Sequence, residues 1–484
     1  MSTVLWPNQP ASLAKALGID ASVHHQRCRG GDGPQATTTL MAQRIASGHV
    51  GTEGLILLSG AMAANTLRAV VRQAAGEELR PYEGARGVDV QKLVRERLGW
   101  GEDLGSLPEF SGTSEVFNNE QERRHGLHAP VDAYPLYESR LRHAYGHGIE
   151  EHQRHVAEIM SRFTKVAASG FNAGCAWHPL ERSSGEIATP SPRNRWVGWP
   201  YTKYMNASAT VDHSASWLMC SVATAERLGI PEEKWVYVHG GAYANQGDPR
   251  SRPTWFVSRW GEHSRIPAME AALRGALASA RLTADRVQHF DFYACFPSVV
   301  QMAADCLGLP HDDPRGLTVT GGLPYYGQCG TVSSIAAMLQ ALRLPENRGH
   351  FGLVSGNGGL GQKHAAGVYS TAAPDRAFQE VPWAKTQAKV DALPVAPFAD
   401  SPRGAAEILT YCVKHGRQGP LDCIVIGKLR STGAHFIANT PRSPELFSDM
   451  MSSEWIGRTG TVAASPDGRR NIFTPDGVPL RSRV

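Results

Sequence analysis

The chain has 484 residues, enough for two or three domains, and its 42% hydrophobic and 19% charged residues match a globular protein. A net charge of +4 gives no reason to expect nucleic acid as a partner. Its eight cysteines include no C-x-x-C pair, which speaks against a zinc ribbon or a thioredoxin-type motif. The opening "MSTVLWPNQPASLAKALG" has no basic region followed by an apolar core, and the closing "RSRV" matches no targeting tripeptide. The apolar run at residues 55–58 is too short to span a bilayer. The expected setting is cytoplasmic, with reduced thiols and no membrane span.

In chain order, "GPQATTTLMAQRIASG" reads as a helix with Pro34 at its first position and Ala36, Leu40, Met41 and Ile45 on one face. Gly48 ends it, and "LILL" reads as a strand of a parallel sheet covered on both sides. Residues 100–200 are less regular; their "HAYGHGIEEHQRHVAEIMSRF" is histidine-rich and partly helical. "VQHFDFYACFPSVVQMAADCLGL" predicts a buried strand ending near Tyr293, then a helix with Val299, Val300, Ala303, Cys306 and Leu307 on one face. Alternating strand and helix units indicate an α/β core. After Ser370 a proline-rich stretch without sustained period reads as a linker. Five β-like runs then follow ("EILTYCVKH", "LDCIVIGKL", "HFIAN", "TGTVAA", "RNIF"). With the helical "SPELFSDMM" they predict a small β-barrel of OB type.

"GNGGLG" at residues 356–361 is literally G-x-G-x-x-G, but a dinucleotide site needs a helix directly after the glycines. "QKHAAGVYST" follows instead and reads as a strand, so a tight turn between strands is expected. His143, His147, His152 and His155 carry no H-E-x-x-H spacing, and Gly146 and Gly148 interrupt their helix; a solvated polar face is expected, and no metal. No G-x-S-x-G occurs. Cys306, Cys412 and Cys423 read as buried core thiols. Cys28 has Arg27 and Arg29 beside it and a helix start nearby, which favour a thiolate, yet it stands several residues before Pro34. These residues alone leave its reactivity open.

Taken together, "NASATVDHSASWLM" (residues 206–219), "LTVTGGLPYYGQCGTVSSIAAMLQALR" and "SGNGGLGQKHAAGVYS" resemble the thiolase superfamily, specifically the sterol-carrier-protein thiolase (SCP2-thiolase) branch. The resemblance covers most of residues 10–371, and the linker plus β domain resembles the extra C-terminal domain of acetyl-CoA acetyltransferase-like members. It implies a layered α/β/α/β/α core whose first strand–helix–strand is missing here, plus the barrel. The implied boundaries are an N-terminal half at 1–215 with an insertion at about 100–200, a C-terminal half at 216–371, a linker at 372–403 and the β domain at 404–484.

The resemblance also locates the family's catalytic positions. Its nucleophilic cysteine falls on Gly30 of "GGDGPQ", its Gly-His-Pro histidine on Gln328, its Asn or His water-holder on Tyr293, and its second cysteine near Gly356. Glycine offers no nucleophile and glutamine no base, so a standard thiolase reaction is not expected. The site implied comprises Tyr293, Tyr326, Cys295, Gln328 and His364 as catalytic candidates. Gly30, Gly31, Gly321, Gly322, Asn357 and Gly358 would contact acyl-CoA, the expected small-molecule substrate. Tyr293, Tyr325 and Tyr326 would serve as acid or base for aldolase-type C–C chemistry if Lys363 or His364 lowered a tyrosine pKa. Two other functions compete: acyl transfer through a displaced Cys28, Cys295 or Cys329, and a non-catalytic acyl-CoA- or lipid-binding subunit. A homodimer or larger complex is implied by the family.

Overall fold

The computed structural model describes residues 8–27, 30–51, 53–75, 108–113, 115–248, 250, 252–328, 330–379 and 381–477. Its centre is a four-stranded sheet in the order Tyr237–Asn245, Lys363–Ser370, Phe351–Gly358, His289–Asp291. The first three are antiparallel neighbours and the last pair is parallel.

Two adjacent glycines show how this sheet is covered. Successive residues of a strand face opposite sides. A Cβ at Gly240 would fall 2.7 Å from the Ala280 nitrogen of the helix Pro267–Ala280, and one at Gly241 would fall 2.6 Å from Thr39 of the helix Gly33–Ala46. The helix Val332–Arg343 joins the second face, packing Ile335, Met338 and Leu342 on Val354 and Tyr369. Pro297–Leu307 joins the first, so the sheet lies between two helical layers.

Beyond the Val332–Arg343 helix runs an antiparallel ribbon of Leu55–Ala63 and Asp212–Cys220. Here the expectation for "LILL" is corrected. Leu55 is 48% and Leu57 38% exposed, and their strand alternates in burial because only one face is packed. The glycine-rich run 356–361 is the end and turn of a hairpin between Phe351–Gly358 and Lys363–Ser370.

The five β-like runs become Gly404–His415, Pro420–Leu429, His435–Asn439, Thr459–Ala464 and Asn471–Pro475, with the helix Pro444–Ser452 between the third and fourth. Pairing runs first to second, third, fifth, fourth and back to the first, which closes a small OB-like barrel. The stretch read as linker carries a helix, Trp383–Asp391, whose Thr386 and Gln387 bond the backbone of Tyr243 and Asn245.

Residues 120–202 bind the barrel to the core. Trp196–Trp199 extends the barrel sheet by pairing with Gly404–His415. From the helix Pro130–Ala144, Arg142 makes two 2.8 Å bonds to Glu454. His143 is exposed, but His147, His152 and His155 are not part of a solvated face, and for these three the expectation is corrected. His152 is buried and bonds Glu138 at 2.6 Å, while Tyr201 and Gln301 hold the same carboxylate. His147, His152, His155 and His311 crowd the Tyr145 ring. Among the described residues no group of three or more His, Cys, Asp or Glu is arranged to hold a metal ion. No described helix is long and apolar enough to cross a membrane.

Two predictions follow from this docking. Glu454→Gln leaves the buried Arg142 guanidinium with a weaker partner and costs about 2 kcal/mol in denaturant unfolding, because bonds to charged groups are each worth roughly 1.5–3 kcal/mol. Burial opposes ionisation of Glu138, yet His152, Tyr201 and Gln301 hold its carboxyl below the usual range. Its folded pKa lies below its unfolded one, so its contribution is present above the unfolded pKa and is lost as pH falls. Glu138→Gln therefore flattens the fall of thermal midpoint between about pH 5 and 3.

Candidate functional site

The helix Gly33–Ala46 begins after Gly30, Gly31 and Asp32, and these three residues organise the site. Asp32 occupies the N-cap position, but its backbone is already helical and its carboxylate makes no capping bond. It is fully buried and faces two cations instead, Arg27 at 3.6 Å and Lys363 at 3.7 Å. Lys363 is itself buried, on the strand after the glycine-rich turn, with its ammonium 5.3 Å from the Phe117 ring centroid.

This cluster fills the space a side chain at residue 30 would need. A Cβ at Gly30 would overlap the Asp32 carboxylate and lie 2.7 Å from Lys363 Nζ, and the φ of +153° disfavours any L side chain. At Gly31 a Cβ would overlap the Tyr293 hydroxyl. Gly358 abuts Asp32 in the same way.

Of the sequence-predicted residues, Gly30, Gly31, Tyr293, Cys295, Asn357, Gly358 and His364 gather at this centre. Tyr293 is 8% exposed and its backbone N–H donates to Ser355 Oγ at 3.0 Å. Asn357 Nδ2 donates to the Tyr134 hydroxyl at 2.7 Å and points to Cys295 Sγ at 3.5 Å. Burial pushes the Cys295 thiol up to about 12, so it is a protonated thiol at neutral pH. His364 donates from Nε2 to the Gly361 carbonyl, and burial drives its pKa down to about 4. It is a neutral core residue and supplies no cation to a tyrosine; that expectation is corrected.

The remaining candidates lie in two other places. Gln328 is held between Thr320 Oγ1 (2.6 Å) and Ser334 Oγ (2.8 Å), within the hydroxyl network of the buried Asp291. Gly321 and Gly322 adopt positive φ where Ala167 and Ala294 approach to 2.6 Å of an added Cβ, so packing explains both. Tyr326 faces His213 across 5.2 Å between ring centroids. Burial raises the pKa of Tyr325 and Tyr326, the opposite of what a tyrosine base requires. Cys28 and Cys329 lie outside the described residues.

Sequence reasoning missed Asp32 as a site residue. The available signal was an acid between glycines just before a helix, in a chain with a lysine two residues after its glycine-rich run.

Residues 385–468 match the family model described as the thiolase-like protein type 1 additional C-terminal domain. That match begins inside the stretch read as linker. No curated protein matches the chain. Among solved structures, a monomeric SCP2-thiolase-like protein type 1 from Mycobacterium smegmatis is 29% identical with a TM-score of 0.76, over 96% of this chain and 87% of that one. The dimeric peroxisomal thiolase of Saccharomyces cerevisiae is 12% identical (71% of this chain, 75% of that one, TM-score 0.44). An Ltp2-ChsH2(DUF35) aldolase is 15% identical (72% and 78%, TM-score 0.47). The mixed α/β core and closed C-terminal barrel are thus similar in fold to the SCP2-thiolase-like protein type 1, and residues 385–468 match its additional C-terminal domain.

Proposed function

We propose that this protein takes an acyl-CoA thioester at the Gly30 and Gly31 centre and acts on it without forming an acyl-enzyme, by aldolase-type C–C cleavage. The superfamily acts on acyl-CoA-like substrates. The observation that carries the reading is the Asp32–Lys363 pair, which occupies the volume a nucleophilic side chain would need. Covalent catalysis at residue 30 is thereby removed, and Cys295 is no ready substitute because burial keeps its thiol protonated.

Retro-aldol cleavage needs a group that takes the β-hydroxyl proton and positive potential for the enolate left behind. Tyr293 is the hydroxyl against the glycine pair. Lys363, Arg27 and the start of the Gly33–Ala46 helix supply positive potential beside it. A second reading, a non-catalytic acyl-CoA-binding protein, is favoured by a specific observation. Gln328 and His364 are locked by their hydrogen bonds, and Cys295 is buried. By analogy with the Mycobacterium smegmatis protein we infer a monomer.

Calorimetry and intact-mass spectrometry with acetyl-CoA and longer acyl-CoA esters test the shared premise. The expected result is binding with no acyl adduct; an adduct on any cysteine overturns the acyl-enzyme-free reading. With β-hydroxyacyl-CoA substrates, Tyr293→Phe should lower kcat about 100-fold with little change in KM. Binding with no turnover of any such substrate selects the carrier reading. Asp32→Asn leaves the buried Lys363 and the half-buried Arg27 without that carboxylate and should cost about 3 kcal/mol in unfolding free energy.

A further inference from the structure

A second cleft, of about 330 Å³, lies between the strand Asp212–Cys220 and the first turn of the helix Val332–Arg343. It shares no lining residue with the Gly30 and Gly31 centre. Phe171, Cys175, Asp212, His213, Tyr326 and Ser333 are among its walls. Within it, Ser333 Oγ lies 2.8 Å from His213 Nδ1. The backbone of Cys175 favours the protonated form of the His213 ring. With the neutral ring's proton assigned to Nε2, Nδ1 accepts the Ser333 hydroxyl. Asp212 does not complete a triad. Its carboxylate bonds the backbone of Asn65 and Thr66 and the Thr66 hydroxyl, and so fixes the end of the strand that carries His213.

We propose that Ser333 and His213 form a nucleophile–base dyad that hydrolyses small carboxylic esters entering this cleft. Ser333 Oγ attacks the ester carbonyl carbon while its proton passes to His213 Nδ1. The tetrahedral intermediate then breaks its C–O bond to the leaving alcohol, which takes that proton from His213. Water attacks the acyl-serine in turn, giving a proton to Nδ1; the carboxylic acid leaves and Ser333 Oγ recovers the proton. Ser333 stands in the first turn of a twelve-residue helix, whose positive end favours the developing oxyanion. Tyr326 faces the His213 ring, and burial keeps its hydroxyl protonated, which makes it a hydrogen-bond donor at neutral pH. Burial also lowers the pKa of His213, so its base form is present at neutral pH.

The test uses the full chain with p-nitrophenyl acetate, followed by intact-mass and peptide mapping after a fluorophosphonate probe. Hydrolysis above the buffer rate is expected, with the phosphonate on Ser333 and a rate that is flat at and above neutral pH. Ser333→Ala should lower the rate about 100-fold or more. His213→Gln is the sharper variant, because glutamine can still accept the Ser333 hydrogen bond but cannot take its proton. A purely structural pair tolerates that exchange with rate unchanged, whereas the dyad loses it about 100-fold while the thermal midpoint is kept. If Ser333→Ala does not fold, His213→Gln decides alone. A wild-type rate equal to that of His213→Gln, or a phosphonate mapped to another residue, overturns the proposal.

Discussion

No side chain fits at Gly30 or Gly31, and the candidate site is built around that constraint. The Asp32 carboxylate and Lys363 ammonium stand in one space, and the Tyr293 hydroxyl in the other. The pair is buried, and burying a charge costs several kcal/mol unless an opposite charge offsets it. Asp32 therefore depends on Lys363 and Arg27, and the hairpin that carries Lys363 must close beside the helix start. Gly356 and Gly358, on the facing strand, leave the room in which this happens; a Cβ at either would meet Asp32. Position 30 is not a vacancy that one substitution could fill. The volume has been given to an ion cluster that the surrounding backbone is shaped to accept.

The C-terminal barrel obeys a comparable constraint. Its five strands close on themselves, so they leave few unpaired edges. Yet Trp196–Trp199 adds to its first strand, and Asn439 reaches the His125 carbonyl. Lys414 pairs with Asp132 at 2.9 Å, on the same helix that supplies Arg142. These contacts all come from residues 120–202. This segment and the barrel thus form one packing problem, in which each supplies partners to polar groups of the other.

Much of this arrangement was legible in the sequence. The barrel strands are short, rich in β-branched residues and separated by turn residues, and that pattern survives any tertiary context. The hairpin was legible because a phosphate-binding glycine run requires a helix after it, and none follows here. "LILL" was not legible, because an apolar run does not reveal whether one or two layers cover it. Asp32 was not legible either. An acid one residue before a helix reads as a cap, and only the tertiary neighbours Arg27 and Lys363 turn it away from that role. The histidines failed for a similar reason: the carboxylate that buries His152 belongs to Glu138, on a different helix.

The first turn of the helix Val332–Arg343 joins the places where chemistry could occur. Its N-cap residue Thr331 donates its hydroxyl to the Gly31 carbonyl at 3.0 Å, which holds the glycine pair against Tyr293. Ser334 donates to Gln328, which closes the hydroxyl network around Asp291. Ser333, between them, turns outward to His213 and the second cleft. Three hydroxyls on consecutive faces of one helical turn thus serve three separate surroundings, and side chains this short leave the backbone little freedom to shift. The glycine pair and the second cleft are therefore joined through one helical turn, even though they share no lining residue.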